Sequence, residues 1–156
     1  MAVEALVEAT SERRRWLSIL AKAPSKDVIA AWDGLAERPA YKALRAPEVG
    51  MVLVRGRMGG TGDAFNLGEM TVTRAAVRLD SGETGIGYVA GRDRQHAEIA
   101  AAVDAMMQSA NLRPAVEGAV VAHLARSQDE RRDAAARKAA ATKVDFFTMV
   151  RTRSPG

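Results

Sequence analysis

The chain has 156 residues, with 23 Lys and Arg against 19 Asp and Glu and a formal net charge of +4. That length suits one domain, and 47% apolar with 27% charged residues sets aside both intrinsic disorder and a membrane-embedded bundle. The absence of Cys excludes a disulfide scaffold, a thiol nucleophile and thiolate zinc sites, and short basic groups separated by acids argue against a nucleic-acid-binding stripe.

The chain opens MAVEALVEATSERRRW, with acids ahead of the basic run, the wrong order for a secretory signal. No stretch approaches the roughly 18 consecutive apolar residues of a membrane span, so a cytoplasmic protein without a membrane segment is expected. Val3 to Ala23 is rich in Ala, Leu and Glu, with Trp16, Leu20 and Ala23 at helical spacing before Pro24, and reads as a first helix. Arg13, Arg14 and Arg15 are consecutive, so they point around that helix rather than at one ligand, which favours a solvated or partner-facing surface over an anion patch. Ser25 is placed to cap a second short helix whose Val28, Ile29, Trp32 and Leu35 share a face, with Gly34 and Pro39 ending it.

The middle of the chain exchanges Ala for Gly and β-branched residues, and its runs shorten to strand length. Tyr41 to Ala46 reads as a first strand before Pro47. Val49 to Arg57 reads as a second, apolar on both faces as far as Val54, the pattern of a strand covered on both sides. Glu69 to Leu79 and Thr84 to Ala90 make a third and fourth, joined by Asp80 to Glu83 with Gly82 supplying a hairpin turn. Alternation slips near Ala75 and Ala76, where a bulge is expected.

Helical character returns at Arg92. Asp93 is placed to cap a segment with Ile99, Ala100, Val103, Met106, Met107 and Ala110 on its buried side. Pro114 opens another helix at a favoured first-turn position. Its later part, ARSQDERRDAAARKAAA from about Ala125 to Ala141, has no wide apolar face and fits a solvated helix, or one whose apolar partner lies in another chain. Val144, Phe146, Phe147, Met149 and Val150 then form a short apolar strand or anchor. The expected fold is α/β of the α+β kind, one domain over 1–156: helices at about 3–36, about four mainly antiparallel strands at 41–90, helices at 92–141 and an extended tail at 143–156.

Three groups are placed for chemistry. Gly59, Gly60 and Gly62, with Thr61 among them and Arg57 beside them, can aim backbone N–H groups at an oxyanion; the alternative is a tight loop that needs positive φ. No Lys-Ser/Thr follows and the segment leads into a strand, so it is not a P-loop. Arg74 and Arg78 project from one strand face around Ala76 and suit either a carboxylate or phosphate ligand, or salt bridges. Arg92 and His96 lie at the start of a helix, where free N–H groups attract anions, although His96 also shares a face with Ile99, Ala100, Val103 and Met107 and reads equally as a packed structural residue. His123 reads as packing or surface. The two His are isolated and no metal-ligand spacing surrounds them, and no nucleophile elbow surrounds any Ser, so no catalytic residue, metal or cofactor is assigned to this chain alone.

The blocks RMGGTGDAFNLGEMTVTRAAVRL, GYVAGRDRQHAE and VDFFTMVR, in that order, with RRRWLSILAKA before them, closely resemble the G subunits of the carbon–phosphorus lyase system of phosphonate utilisation. The resemblance covers roughly residues 13 to 110 and 143 to 151. It implies a subunit of a bacterial cytoplasmic complex in which G, H, I and J subunits assemble in pairs. The I subunit, helped by G, H and L, replaces the adenine of ATP by a phosphonate to give α-D-ribose 1-methylphosphonate 5-triphosphate. ATP is then a substrate of the complex, and I the most direct partner. The resemblance carries no catalytic residue to any position here. It leaves two roles open: a scaffold holding I in a competent state, or a donor of Arg and backbone N–H groups to a shared phosphate site. A free-standing nucleotide or anion binder is the third, unrelated reading. Phe146, Phe147 and Met149 are expected to anchor the tail on an apolar groove of this chain or of I.

Overall fold

The computed structural model describes residues 2–142, with side chains from Val7 onward. Helix α1 spans Ala2–Lys22 and α2 spans Ser25–Asp33. Three antiparallel strands follow, β1 Tyr41–Arg57, β2 Ala64–Leu79 and β3 Thr84–Ala90, in the order β1-β2-β3. Helix α3 is Arg94–Gln108. The last helical run begins as α4, Arg113–Val116, passes through a π-helical turn at Glu117–Val121 and continues as α5, Ala122–Ala141. The α+β class and the antiparallel sheet flanked by helices agree with the sequence reading.

The strand count does not. Tyr41–Ala46 and Val49–Arg57 are one strand, so among the described residues the sheet has three strands and not four. Pro47 is accommodated because the register slips there: Arg45 lies opposite Ala76 and Glu48 opposite Arg74, which leaves extra β1 residues in a bulge where a missing N–H breaks no ladder bond. The bulge expected at Ala75 and Ala76 is therefore on the strand facing them, while β2 keeps an unbroken register against β3 from Val72↔Ala90 to Arg78↔Thr84. The hairpin between β2 and β3 turns at Gly82, with φ of 112°, and closes through the Leu79 N–H to Glu83 carbonyl bond of 2.9 Å.

One face of the sheet is covered. Ala75, Val77, Leu79 and Val89 face α3, whose Ile99, Val103, Met106 and Met107 are buried with Leu20, Val28 and Leu124 in one core. The crossing of α3 over β3 is set by two glycines. A Cβ built on Gly85 would lie 2.0 Å from the Ala101 carbonyl oxygen, and one on Gly87 would lie 1.9 Å from that of Ala97. Only Gly permits such an approach, and Ala97, Ala101 and Ala105, one helical turn apart, present the matching low surface.

Smaller corrections concern caps. Pro24, not Ser25, precedes α2, and no side chain caps that helix; the Ser25 hydroxyl instead hydrogen-bonds the Asp93 carboxylate. Ala110 lies beyond the end of α3 and is exposed. The charged helix is solvated as expected: Leu124 is buried and Gln128 reaches the Ile19 carbonyl at 2.6 Å, but every residue from Asp129 to Thr142 is exposed.

The second half of β1 is not covered on both sides. Because β3 pairs only with Val72–Arg78, the outer parts of β1 and β2 leave the sheet as a two-stranded arm. Met51 is 68% exposed, Leu53 61%, Leu67 65% and Phe65 43%. No helix of the described residues is long and apolar enough to cross a membrane.

Candidate functional site

The residues singled out from the sequence fall at three places. The glycine loop is the tip of the arm. Met58–Gly60 forms a 3-10 turn, with φ of 62° at Gly59 and 80° at Gly60, values that L side chains avoid. Arg57 Nη1 donates to the Gly62 carbonyl at 3.0 Å, and a Cβ on Gly62 would press to 2.9 Å from the Met58 carbonyl oxygen. Each glycine is used by the turn, and Thr61 is exposed beside them.

Arg74 and Arg78 lie on the opposite sheet face from α3, about 13 Å apart at four residues of strand. Arg74 Nε donates to Glu48 Oε1 at 2.8 Å, and Arg45 Nη1 shares that oxygen at 2.6 Å. The Arg74 hydrogen bond, with Arg45 beside it, holds Glu48 below the usual carboxylate range. Arg78 is exposed opposite Lys42. Arg57 lies nine residues along β1 from Glu48, about 30 Å away by strand rise, so the arm tip and this arginine pair do not converge on one ligand.

The third place is the start of α3. Gly91, with φ of 92°, turns the chain and its N–H donates to the Thr71 carbonyl at 2.8 Å. Asp93 caps the helix, accepting the His96 N–H at 2.9 Å. That bond and the Ser25 hydroxyl hold the Asp93 carboxyl below its ordinary value. His96 is 5% exposed, and its Nε2–H donates to the Leu20 carbonyl at 2.8 Å, tying α3 to α1. The packed, structural alternative for His96 is the one its surroundings describe. Arg92 is exposed and makes no ion pair among the described residues, and His123 is at the surface.

One polar centre was not visible in the sequence. Asp104 on α3 is fully buried and accepts four hydrogen bonds: from Arg13 Nε at 3.2 Å and Nη2 at 2.8 Å, from Trp16 Nε1 at 2.8 Å, and from the Ile86 N–H at 2.9 Å. It joins α1, α3 and the edge of β3. Of the three consecutive arginines, Arg13 serves this carboxylate, Arg15 pairs with Glu117 at 2.8 Å, and Arg14 stays exposed. No group of three or more His, Cys, Asp or Glu among the described residues is arranged to hold a metal ion. Phe146, Phe147 and Met149 lie outside the described residues.

Among the described residues the geometry thus offers surfaces rather than a cleft with convergent catalytic groups. Comparison with known proteins gives those surfaces a context. The family model described as "Phosphonate metabolism protein PhnG" matches residues 11–152. A curated relative from Rhizobium meliloti (strain 1021), named alpha-D-ribose 1-methylphosphonate 5-triphosphate synthase subunit PhnG, is 46% identical over 143 residues, covering 90% of each chain. With its fold of two helices, a three-stranded sheet and a helical C-terminal half, the chain belongs to the PhnG family of phosphonate metabolism proteins.

Proposed function

We propose that this chain is a non-catalytic subunit of a cytoplasmic, transferase-type synthase that forms α-D-ribose 1-methylphosphonate 5-triphosphate from ATP and methylphosphonate, with release of adenine. It acts with the I, H and L subunits, and with J in the wider assembly, and I is its most direct partner. It binds no cofactor of its own, and ATP enters as a substrate of the complex.

The observation that carries this reading is the β1–β2 arm. Met51 and Leu53 project from one face of the ribbon, while Phe65 and Leu67 flank Gly56 on the other, and all four are exposed. A two-stranded ribbon by itself is marginally stable, and large apolar side chains exposed on both of its faces mark a segment that packs against other chains. An arm that buries so little against its own chain is suited to lie between elements of partner subunits. The family to which the chain belongs, and the name of its relative as a synthase subunit, support membership of a multi-subunit complex.

The chemistry also favours a supporting role. Displacing adenine requires charge stabilisation at the anomeric carbon and at the leaving base. The described polar centres are occupied: Asp104 by four donors, Asp93 by the helix it caps, and His96 by the Leu20 carbonyl. The decisive experiment is reconstitution. The purified chain with ATP and methylphosphonate should release no adenine. Adding I, H and L should yield the ribose phosphonate triphosphate, and leaving this chain out should abolish or divert it. Adenine release by the chain alone, after rigorous removal of I, would overturn the proposal.

A further inference from the structure

The sheet has a second face, opposite α3, that the described chain leaves largely open, with α1 bordering it along β3. Antiparallel partners share a face, so the register places Lys42 with Arg78, Arg45 with Ala76 and Ile86, and Glu48 with Arg74 and Tyr88. The shared Glu48 oxygen confirms that Arg45 and Arg74 point the same way. Four cations therefore share this face with the Glu48 carboxylate, all on β1 and β2, where Arg45 and Arg74 bind it, and Asp80 follows at the end of β2. Lys42 and Arg78 sit directly across from each other, an arrangement that like charges disfavour, and neither has an ion-pair partner among the described residues. Ile86 is 45% exposed and Tyr88 47%. With Leu17, Ala21 and Arg14 of α1 they line a groove of about 520 Å³.

We propose that this outer face, with Ile86 and Tyr88 on the edge strand β3 and Arg74, Arg78, Lys42 and Arg45 beside them on β2 and β1, docks an acidic amphipathic helix of another subunit. The inference rests on the subunit reading given above and names the chemistry of one contact. An open sheet face is ordinarily closed by a helix or a second sheet, and the apolar strip here is narrow, one strand wide, as a single helix requires. Arg74, which meets Arg45 on Glu48, and Arg78 stand about 13 Å apart along β2, which suits a row of carboxylates two helical turns apart, roughly 11 Å, better than one phosphate group. A second copy of this chain is the wrong occupant: its net charge is +4, and the same face brought against itself would set cation against cation.

The test uses the full-length chain and the co-expressed I, H, J and L subunits. The double variant Lys42→Glu with Arg78→Glu alters only exposed side chains that make no ion pair. It should keep the wild-type melting temperature, associate roughly 10- to 100-fold more weakly at low salt, and lose most of the salt dependence of association. If the double reversal fails to fold, Arg78→Ala and Tyr88→Ser are read in the same assay, with weaker association expected from each. A folded variant set that associates with wild-type affinity and wild-type salt dependence overturns the proposal. So does an RNA oligonucleotide that binds the wild-type chain and not the variant while assembly is unchanged. Failure of the wild-type chain to join the other subunits at all would overturn the subunit reading, which keeps the two failures distinct.

Discussion

Arg13 on α1 and Asp104 on α3, 91 residues apart in sequence, meet as a two-point pair, Nε to Oδ1 at 3.2 Å and Nη2 to Oδ2 at 2.8 Å. Asp104 has no solvent exposure, whereas the Arg13 side chain keeps 36%. The carboxylate is thus the buried centre and the guanidinium its lid. The Trp16 indole N–H and the Ile86 N–H complete the shell. A carboxylate buried in this way holds a junction together because α3 carries it while its donors come from α1 and from β3.

Asp104→Ala should therefore destabilise the fold by about 3 to 5 kcal/mol, the range for breaking a buried pair from one side. It strands the Trp16 indole and the edge of β3 as well as Arg13. Arg13→Ala should cost less, because water can reach the place it leaves. Urea denaturation of both variants checks the order, and equal costs would show that Trp16 and Ile86 add nothing.

At the crossing of α3 over β3, Gly87→Ala should cost roughly 3 kcal/mol or more, since its Cβ would sit 1.9 Å from the Ala97 carbonyl oxygen and the helix must lift. Gly50→Ala is the control. Nothing lies within 4 Å of its added Cβ, and a strand glycine replaced without strain should be neutral or slightly stabilising. Thermal melts of the two variants should move in opposite directions or differ by several degrees.

Acid should weaken the start of α3. The Asp93 carboxyl is held below its ordinary value near 3.8 by the His96 N–H and the Ser25 hydroxyl. A folded-state value lowered below the unfolded one adds stability that is fully present above the unfolded value and is lost as pH falls through the folded one. Stability should thus decline below about pH 4, and Asp93→Asn, which keeps a cap but cannot titrate, should flatten that decline. Asp93→Ala should cost about 1 kcal/mol at neutral pH. Chemical denaturation between neutral and acid pH reads both effects.

On the arm, Met51→Ser and Leu53→Ser should leave the stability of the isolated chain within about 0.5 kcal/mol of wild type, as for other exposed positions, yet weaken assembly with the I subunit. Co-purification alongside a melting curve separates the two effects. A variant that melts normally and assembles normally would remove the arm from the interface.

Phe147→Ala tests the tail. Burying a Phe contributes about 1.5 to 3 kcal/mol, so if Phe147 docks as the sequence suggests, the substitution should lower solubility or weaken assembly. An unchanged elution profile with the partner, together with unchanged stability, would count against an anchoring role.

Much of the local structure could be read from residues close in sequence. Asp93 ahead of an apolar helical stripe, Pro24 after α1, Pro114 in a first turn and the Gly82 hairpin each fix an element through bonds made within a few residues, and the structure has each of them at its expected place. The same holds for β3, whose bounds Thr84–Ala90 follow from alternation between two turns. The motif blocks that carried the family resemblance are likewise local in sequence.

What tertiary structure decided was everything that depends on a distant partner. Pro47 looked like a strand end because a proline removes a ladder donor; only the slipped register opposite Arg74 and Ala76 lets β1 continue through it. The apolar run Val49 to Val54 looked covered on both faces because hydropathy records a side chain and not its neighbours. Its Val49, Met51 and Leu53 are exposed because β3 is too short to accompany the arm. Gly85 and Gly87 acquire their purpose only where α3 crosses them, and Asp104 only where α1 brings Arg13 and Trp16 to it. The glycine loop and the Arg74–Arg78 pair, two anion candidates near each other in the chain, are drawn about 30 Å apart by strand extension, because a strand separates residues along its length as surely as a turn brings them together.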